Sequence, residues 1–96
     1  MVDLNSAFEK FDDEYLEFGR VVSPLHARPD ISAFLLIDKL VPRAGKDIIS
    51  AAEHDEFFID CDCDELAKAA TEEDILTLVR CGVRYDDGCE CLAMFA

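Results

Sequence analysis

Two Cys-x-Cys pairs are the residues whose type and spacing come nearest to a metal site. Cys61 and Cys63 form one pair, Cys89 and Cys91 form the other, and Cys81 stands alone between them. Structural zinc sites typically leave about two to four residues between paired ligands, whereas each of these pairs encloses one. An odd number of cysteines also disfavours a disulfide framework. We therefore expect free cysteines that pack as small apolar side chains, in preference to a zinc site, redox chemistry or a disulfide.

The side-chain alternation of a β-strand supports this expectation. It places two sets of residues on core-facing positions of two strands, namely Phe57, Ile59, Cys61 and Cys63 in one, and Cys89, Cys91, Ala93 and Phe95 in the other. All four paired thiols would then point into the core.

An aspartate series beside the first cysteine pair has the spacing that opens a calcium-binding loop. Asp60, Asp62 and Asp64 would supply its first three ligands. Such a loop also needs a glycine at its sixth position and a glutamate at its twelfth, where this chain has Glu65 and Thr71. We therefore expect no calcium site.

The two histidines do not complete a catalytic arrangement. His54 precedes Asp55, but neighbours in sequence rarely form a general base with its orienting carboxylate, and no nucleophile motif accompanies them. His26 and Arg28 lie in a loop-like run suited to contacting an anion, yet no glycine-rich phosphate loop adjoins it. The sequence therefore predicts no enzyme activity and no cofactor.

Charge is the strongest functional signal. The 96 residues include 22 acidic and 9 basic side chains, for a net charge of -13. Residues 1–19 carry -5, residues 20–46 carry +3 and residues 47–96 carry -11. Such a balance excludes direct binding to nucleic acid or to an anionic membrane, so we expect a basic protein as partner. No apolar run is long enough to cross a membrane and the acidic N-terminal residues are unlike a secretory signal, so we expect a cytoplasmic protein.

Seven acidic residues form two rows that helix capping and turns do not explain. The rows are Glu9, Asp12, Asp13 and Glu17 on a predicted helix, and Glu56, Asp60 and Asp62 on the solvent face of a predicted strand. Like charges four residues apart on a helix cost about 0.2 to 0.5 kcal/mol per pair, and only Lys10 and Glu14 form a compensating pair at that spacing. Rows of carboxylates are the surface that a cationic, phosphate-binding groove accepts. The sequence thus predicts that these seven residues contact the partner.

Two helices are predicted in the first part of the chain, residues 1–46. An apolar stripe at alternating spacings of four and three residues comprises Leu4, Phe8, Phe11, Tyr15 and Phe18. It predicts one helix from Asn5 or Ser6 to Gly19. A second, largely buried helix is predicted from Pro29 to Leu40, ended by the next proline.

Strands and helices are both predicted in residues 47–96. The elements are strands at Asp47–Ala52 and Glu56–Cys61, a helix at Asp64–Ala70, a helix opened by a Thr71–Asp74 capping box and closed by Gly82, and a hairpin of Val83–Tyr85 with Cys89–Phe95. A polar turn of residues 53–55 joins the first two strands, and Asp87–Gly88 lies in the hairpin turn. We expect an α+β fold, a single domain over residues 1–96 with its helices packed on a small antiparallel sheet.

Residues 47–96 resemble small acidic proteins encoded by phages and prophages. The resemblance is carried by Asp47-Ile48-Ile49, His54-Asp55-Glu56, Thr71-Glu72-Glu73-Asp74, Arg80-Cys81-Gly82-Val83-Arg84-Tyr85 and Leu92-Ala93-Met94-Phe95. It implies an accessory protein that acts in the host bacterial cell, a class that includes inhibitors of host defence such as anti-CRISPR proteins. It implies no catalytic residue.

Two functional hypotheses follow. The first is a non-enzymatic inhibitor that binds a basic, nucleic-acid-binding host complex, a CRISPR effector above all, by acidic mimicry of nucleic acid. The alternative is a small phage scaffold or accessory interaction module, homodimeric through its apolar helices, whose acidity serves solubility only.

Overall fold

A computed structural model describes residues 3–21, 24–42, 49–53, 55–59, 61–86 and 91–95. The described residues form four α-helices and four strands, in the order two helices, two strands, two helices, two strands. This is an α+β arrangement, as predicted. The helices are α1 (Leu4–Lys10), α2 (Pro29–Leu40), α3 (Cys63–Ala69) and α4 (Glu72–Arg80). The strands are β1 (Ile49–Glu53), β2 (Glu56–Ile59), β3 (Arg84–Asp86) and β4 (Cys91–Phe95). Two short 3-10 helices, Asp12–Glu14 and Phe18–Arg20, lie between α1 and α2.

The strands form one antiparallel sheet in the order β1-β2-β4-β3. Ile59 pairs with Leu92 across the two central strands, and Tyr85 pairs with the same leucine from β3. Ala52 of β1 pairs with Phe57 of β2. The two predicted strand pairs, β1 with β2 and β3 with β4, are therefore confirmed. Residues 47, 48, 54, 60 and 87–90, which include the predicted hairpin turn, lie outside the described residues.

Local signals explain where α4 begins and ends. Thr71 and Asp74 form the predicted capping box at the start of α4. At its other end, the N–H groups of Gly82 and Val83 donate to the carbonyls of Val79 and Leu78, as in a Schellman motif. Gly82 has a φ of 98°, a left-handed conformation that glycine adopts at low cost.

The core lies between the helices and one face of the sheet. Its fully buried large side chains include Ile37 of α2, Leu66 of α3, Leu78 of α4 and Leu92 of β4. The prediction that α2 is largely buried is confirmed except on one side of the helix, where Leu35 is 44% exposed.

The predicted core face of the last strand is wrong. Leu92 and Met94 enter the core cluster, whereas Cys91, Ala93 and Phe95 alternate onto the opposite, outer face of the sheet. Phe95 is 59% exposed, and Ala93 is buried because the larger side chains of Phe58 and Arg84 pair with it from both neighbouring strands. The outer face is therefore a mixed surface of aromatic and charged residues.

The single helix predicted from residue 5 or 6 to Gly19 is also wrong. It stops at Lys10, and the chain continues through two 3-10 turns separated by Leu16, whose φ is 61°. The apolar stripe nevertheless reaches the core, with Leu4 and Phe8 buried and the other three members packed against it. A bent segment thus places the same apolar residues against the core as a continuous helix would. Contacts with α4 hold the segment in that shape.

Candidate functional site

The acidic arm, residues 9–17, is fixed to the end of α4 by an ion pair. Glu14 lies between two arginines, with Arg80 Nε 3.0 Å from its Oε1 and Arg20 Nη1 2.9 Å from its Oε2. The side chains of Glu14 and Arg80 are only 19% and 18% exposed, which reduces screening by water. Arg80 Nη1 also donates to the carbonyl of Arg20. The predicted Lys10–Glu14 pair is thus wrong, because Lys10 pairs with Glu72 on α4 instead.

A backbone contact adds a second attachment beside this ion pair. The N–H of Leu16 donates to the carbonyl of Val79 at 3.1 Å, sharing the acceptor that Gly82 uses to cap α4. The Leu16 side chain lies over Gly82 so closely that a Cβ added there would be 2.6 Å from Leu16 Cδ2. In this position Leu16 has a left-handed backbone conformation, which is unfavourable for a branched side chain.

The four acidic side chains predicted at this end of the chain remain available to a partner. Glu9, Asp12, Asp13 and Glu17 are all exposed, and none makes an ion pair with another described residue. They do not form the predicted row at helical spacing, because α1 ends between Glu9 and Asp12. The arm therefore keeps its charge while presenting it in a different geometry.

An acidic cleft of about 400 Å³ opens beside the arm. Glu9 and Asp12 line it together with three aromatic residues, Phe8, Tyr15 and Tyr85. The rings of Phe8 and Tyr85 are stacked with centroids 5.9 Å apart, which joins α1 to β3. The cleft thus combines two carboxylates with aromatic walls.

An apolar groove of about 250 Å³ adjoins the cleft. Tyr15 lines both, so it forms the wall between them, and Leu16, Met94 and Phe95 contribute further apolar surface to the groove. Leu16 and Phe95 are 56% and 59% exposed. The groove therefore leaves large apolar side chains in contact with solvent.

The two described members of the second predicted acidic row, Glu56 and Asp62, do not lie on one strand. Glu56 lies on the outer face of the sheet, where it pairs with Arg84, and the Arg84 guanidinium lies 4.2 Å from the centre of the Phe95 ring. Strand β2 ends at Ile59, so Asp62 lies beyond it. Asp62 caps α3, accepting from the N–H groups of residues 64 and 65 at 3.0 and 3.2 Å. Asp60 lies outside the described residues.

The histidine and arginine considered as an anion contact serve the start of α2. His26 Nδ1 accepts from the N–H of Arg28, and the Arg28 side chain pairs with Asp30 at 3.3 Å. The hydrogen bond from Arg28 is the main reason that the pKa of Asp30 lies below its usual value. Asp55 is exposed, and His54 lies outside the described residues.

The cysteines differ from one another. Cys61, Cys63 and Cys81 are not part of a disulfide, whereas Cys91 is disulfide-bonded, so the expectation of cysteines outside any disulfide is wrong for Cys91. Cys81 is fully buried, and this burial raises the pKa of its thiol against the opposing effect of a hydrogen bond with Ser32. Cys61 and Cys63 are half-buried. Within the described ranges, no group of three or more histidine, cysteine, aspartate or glutamate side chains is arranged to hold a metal ion.

Sequence reasoning missed the parts of the site that depend on the fold. Leu16 does not belong to the apolar stripe. Its absence from the stripe is the one sequence signal that Leu16 packs away from the core. Strand alternation alone places Phe95 in the core, and nothing local indicates that Glu14 pairs with Arg80, 66 residues away. These contacts determine which carboxylates stay unpaired.

None of the helices in the described part of the chain is long and apolar enough to cross a membrane. Comparison with known protein families, curated proteins and solved structures finds no match to this chain.

Proposed function

We propose that this protein is a non-enzymatic inhibitor that binds the basic, nucleic-acid-binding surface of a host complex through its acidic arm. A CRISPR effector is the leading candidate for the target, on the resemblance of residues 47–96 to small acidic phage proteins. The bound host surface would be one that normally contacts phosphates.

The observation that carries this proposal is the contrast within the arm between one paired and four unpaired carboxylates. Glu14 takes up both nearby arginines, and the four other acids of the arm stay exposed without a cationic partner among the described residues. Lysines and arginines of a phosphate-binding groove would supply the missing partners. Glu56 and Asp62 contribute less, because each is already engaged within the molecule.

The attachment of the arm to α4 supports binding in a second way. A segment held in place before binding loses less conformational freedom when it meets its partner. The Glu14–Arg80 ion pair and the Leu16–Val79 hydrogen bond provide that restraint. Electrostatic attraction would also speed association at low salt.

The test compares two quadruple variants that remove the same amount of charge. The arm variant is Glu9→Gln, Asp12→Asn, Asp13→Asn and Glu17→Gln, and the control variant is Asp55→Asn, Asp64→Asn, Glu65→Gln and Glu73→Gln. All eight residues are exposed, so both variants should fold, which circular dichroism checks. Each protein is titrated into purified CRISPR effectors that bind and cleave a labelled target DNA, at several salt concentrations.

We expect the parent protein to compete with DNA. Its inhibition should weaken as salt rises, because the Debye screening length falls to about 10 Å at 0.1 M salt. The arm variant should need at least about tenfold more protein for the same inhibition, because a tenfold change corresponds to only about 1.4 kcal/mol. The control variant should stay within about twofold of the parent by the same scale. Equal losses in both variants would contradict the role of the arm, and a parent that inhibits no effector would contradict the inhibitor proposal.

The scaffold or accessory module remains the competing hypothesis. Its specific support is Leu35, which α2 leaves 44% exposed on the side away from the core. A homodimer formed through that helix should separate into monomers when Leu35 is replaced by lysine, as measured by sedimentation velocity. Inhibition of an effector by the Leu35→Lys monomer would exclude dimerisation as the basis of activity.

A further inference from the structure

We propose that the acidic cleft and the apolar groove form one docking site with two parts, which binds a segment of the basic partner. The cleft takes a lysine or arginine side chain, and the groove takes an apolar side chain close to it in the same segment. This inference rests on the proposed function and adds the chemistry that the partner must present.

The two parts lie next to each other. Tyr15 lines both the cleft and the groove, and Leu16 follows it directly into the groove. The groove measures about 250 Å³, which is below the roughly 300 to 1,000 Å³ of pockets that enclose whole small molecules. Its size therefore suits a side chain delivered by a larger partner.

The chemistry of the cleft favours a cation. Glu9 and Asp12 supply two carboxylates that no described cation neutralises, and the Phe8 and Tyr85 rings supply aromatic surface beside them. A guanidinium or ammonium group is attracted by both kinds of neighbour. Arg84 also lines the cleft, but its guanidinium is paired with Glu56 on the outer face of the sheet.

The groove exposes apolar surface at a conformational cost. Leu16 combines a left-handed backbone with a side chain that is 56% exposed, although a helical continuation of α1 would avoid that backbone. Backbone strain of this kind concentrates at functional sites. Leu16 and Phe95 together offer the groove an apolar surface that a partner side chain would remove from water.

Charge determines which occupant fits. A second copy of this chain carries the same net charge of -13 and the same unpaired carboxylates, so the two copies repel. Glu17, exposed and unpaired, follows Leu16 directly and extends the negative charge beside the groove. An apolar side chain flanked by lysine or arginine satisfies the cleft and the groove at once.

Two synthetic peptides of ten residues serve as probes for the full-length protein. One contains arginine and leucine side by side, and the other has every leucine replaced by serine. Affinities are measured by isothermal titration calorimetry, and amide shifts by ¹⁵N NMR. We expect the leucine peptide to bind at least about fivefold more tightly, as burial of a leucine side chain permits. Only the leucine peptide should shift the amides of Leu16, Gly82 and Phe95.

Single variants separate the two parts. Leu16→Gly and, as a second groove variant, Phe95→Thr should each abolish most of the preference for the leucine peptide while leaving the serine peptide unaffected. Leu35→Ala is the matched control, an exposed leucine on α2 outside the groove, and should leave both affinities unchanged. Glu9→Gln combined with Asp12→Asn should weaken both peptides and flatten their salt dependence.

The outcomes distinguish this inference from the proposed function. Equal affinity for both peptides, together with weaker binding in the Glu9 and Asp12 variant, would overturn the two-part site and leave the acidic inhibitor standing. Unchanged binding in that acidic variant would count against both. A parent protein that sediments as a dimer and dissociates on Leu16→Gly would overturn the inference in favour of a second copy in the groove.

Discussion

The acidic arm and the outer face of the sheet use similar residues to opposite effect. Both contain carboxylates and an exposed apolar side chain, and in both a glutamate pairs with arginine. On the sheet, Glu56 pairs with Arg84, whose guanidinium lies over the Phe95 ring, so the carboxylate is neutralised within the molecule. In the arm, Glu14 alone occupies the arginines and leaves its four acidic neighbours unpaired. Net charge therefore does not locate a binding surface, because local pairing decides which charges remain available.

The first prediction concerns a deletion that disrupts both the arm and the sheet. Deleting residues 92–96 removes most of β4, the strand that joins β2 to β3 and places Leu92 in the core. We expect the protein to unfold, since neither region keeps its support. Thermal melting followed by circular dichroism measures this, and a truncated chain with a cooperative transition near that of the parent would show that β4 is dispensable.

The second prediction ranks the two ion pairs. Glu14 and Arg80 are about 19% and 18% exposed, whereas Glu56 and Arg84 are 29% and 35% exposed. Removing one member of the arm pair with Glu14→Gln should therefore cost about 1 to 3 kcal/mol. The matched change Glu56→Gln should cost about 1 kcal/mol or less, because water screens the more exposed pair.

Urea unfolding with double-mutant cycles checks this ranking. The partner substitutions Arg80→Gln and Arg84→Gln complete the two cycles and isolate each pairwise energy. A larger coupling energy for Glu56–Arg84 than for Glu14–Arg80 would reverse the comparison and make the sheet the more firmly held region.

The third prediction concerns the contact between the arm and the end of α4. Gly82→Ala places a Cβ at a φ of 98° and close to Leu16, so it should destabilise the protein by about 1 to 3 kcal/mol. In the Leu16→Gly background the steric part of that cost should disappear, leaving only the backbone part. Equal costs of Gly82→Ala in both backgrounds would show that Leu16 does not press on this glycine.

Much of the fold was predictable because its signals are local. The Thr71–Asp74 capping box, the proline at the start of α2 and the antiparallel strand pairs all depend on residues close together in sequence. The break in the first helix was not predictable in this way. The segment from Phe11 to Gly19 has helical spacing, but its contacts with α4, through Arg80 and Val79, override that preference.

The candidate site was predictable in part for the same reason. The spacing of four acidic residues in a helix-like segment predicts the arm as a binding surface, and in the structure all four side chains are exposed. The Glu56–Arg84 pair across the sheet cannot be read from the sequence, and α3 begins one residue before its predicted start, which makes Asp62 its cap. The sequence therefore predicts both Glu56 and Asp62 as partner contacts alongside the arm. The groove is not predicted, because strand alternation counted from Cys89 places Phe95 in the core. In the structure Leu92 faces the core instead, so Phe95, three residues later, lies on the opposite face of the sheet.

The last prediction uses Cys81 as a reporter of how firmly the arm is held. The thiol is fully buried, lines the apolar groove and has a pKa above its ordinary value of 9.0 because of that burial. A thiol reagent should therefore label the half-buried Cys61 and Cys63 in the native protein and reach Cys81 only when the structure opens, since the thiolate is the reactive form. Mass spectrometry after short exposure gives the rate at each site.

Breaking the arm pair should raise the labelling rate of Cys81, whereas breaking the sheet pair should change it little. Glu14→Gln loosens the segment that covers Gly82, so we expect Cys81 to react at least about fivefold faster, in proportion to a loss of about 1 kcal/mol in local stability. Glu56→Gln serves as the control.

The raised pKa of Cys81 also predicts how stability depends on pH. Above pH 9.0 the folded state retains a thiol proton that the unfolded state releases, so the stability contributed by Cys81 is lost as pH rises above 9.0. Cys81→Ala should reduce this alkaline loss, and an unchanged alkaline profile together with equal labelling in both glutamine variants would mean that the arm does not protect this thiol.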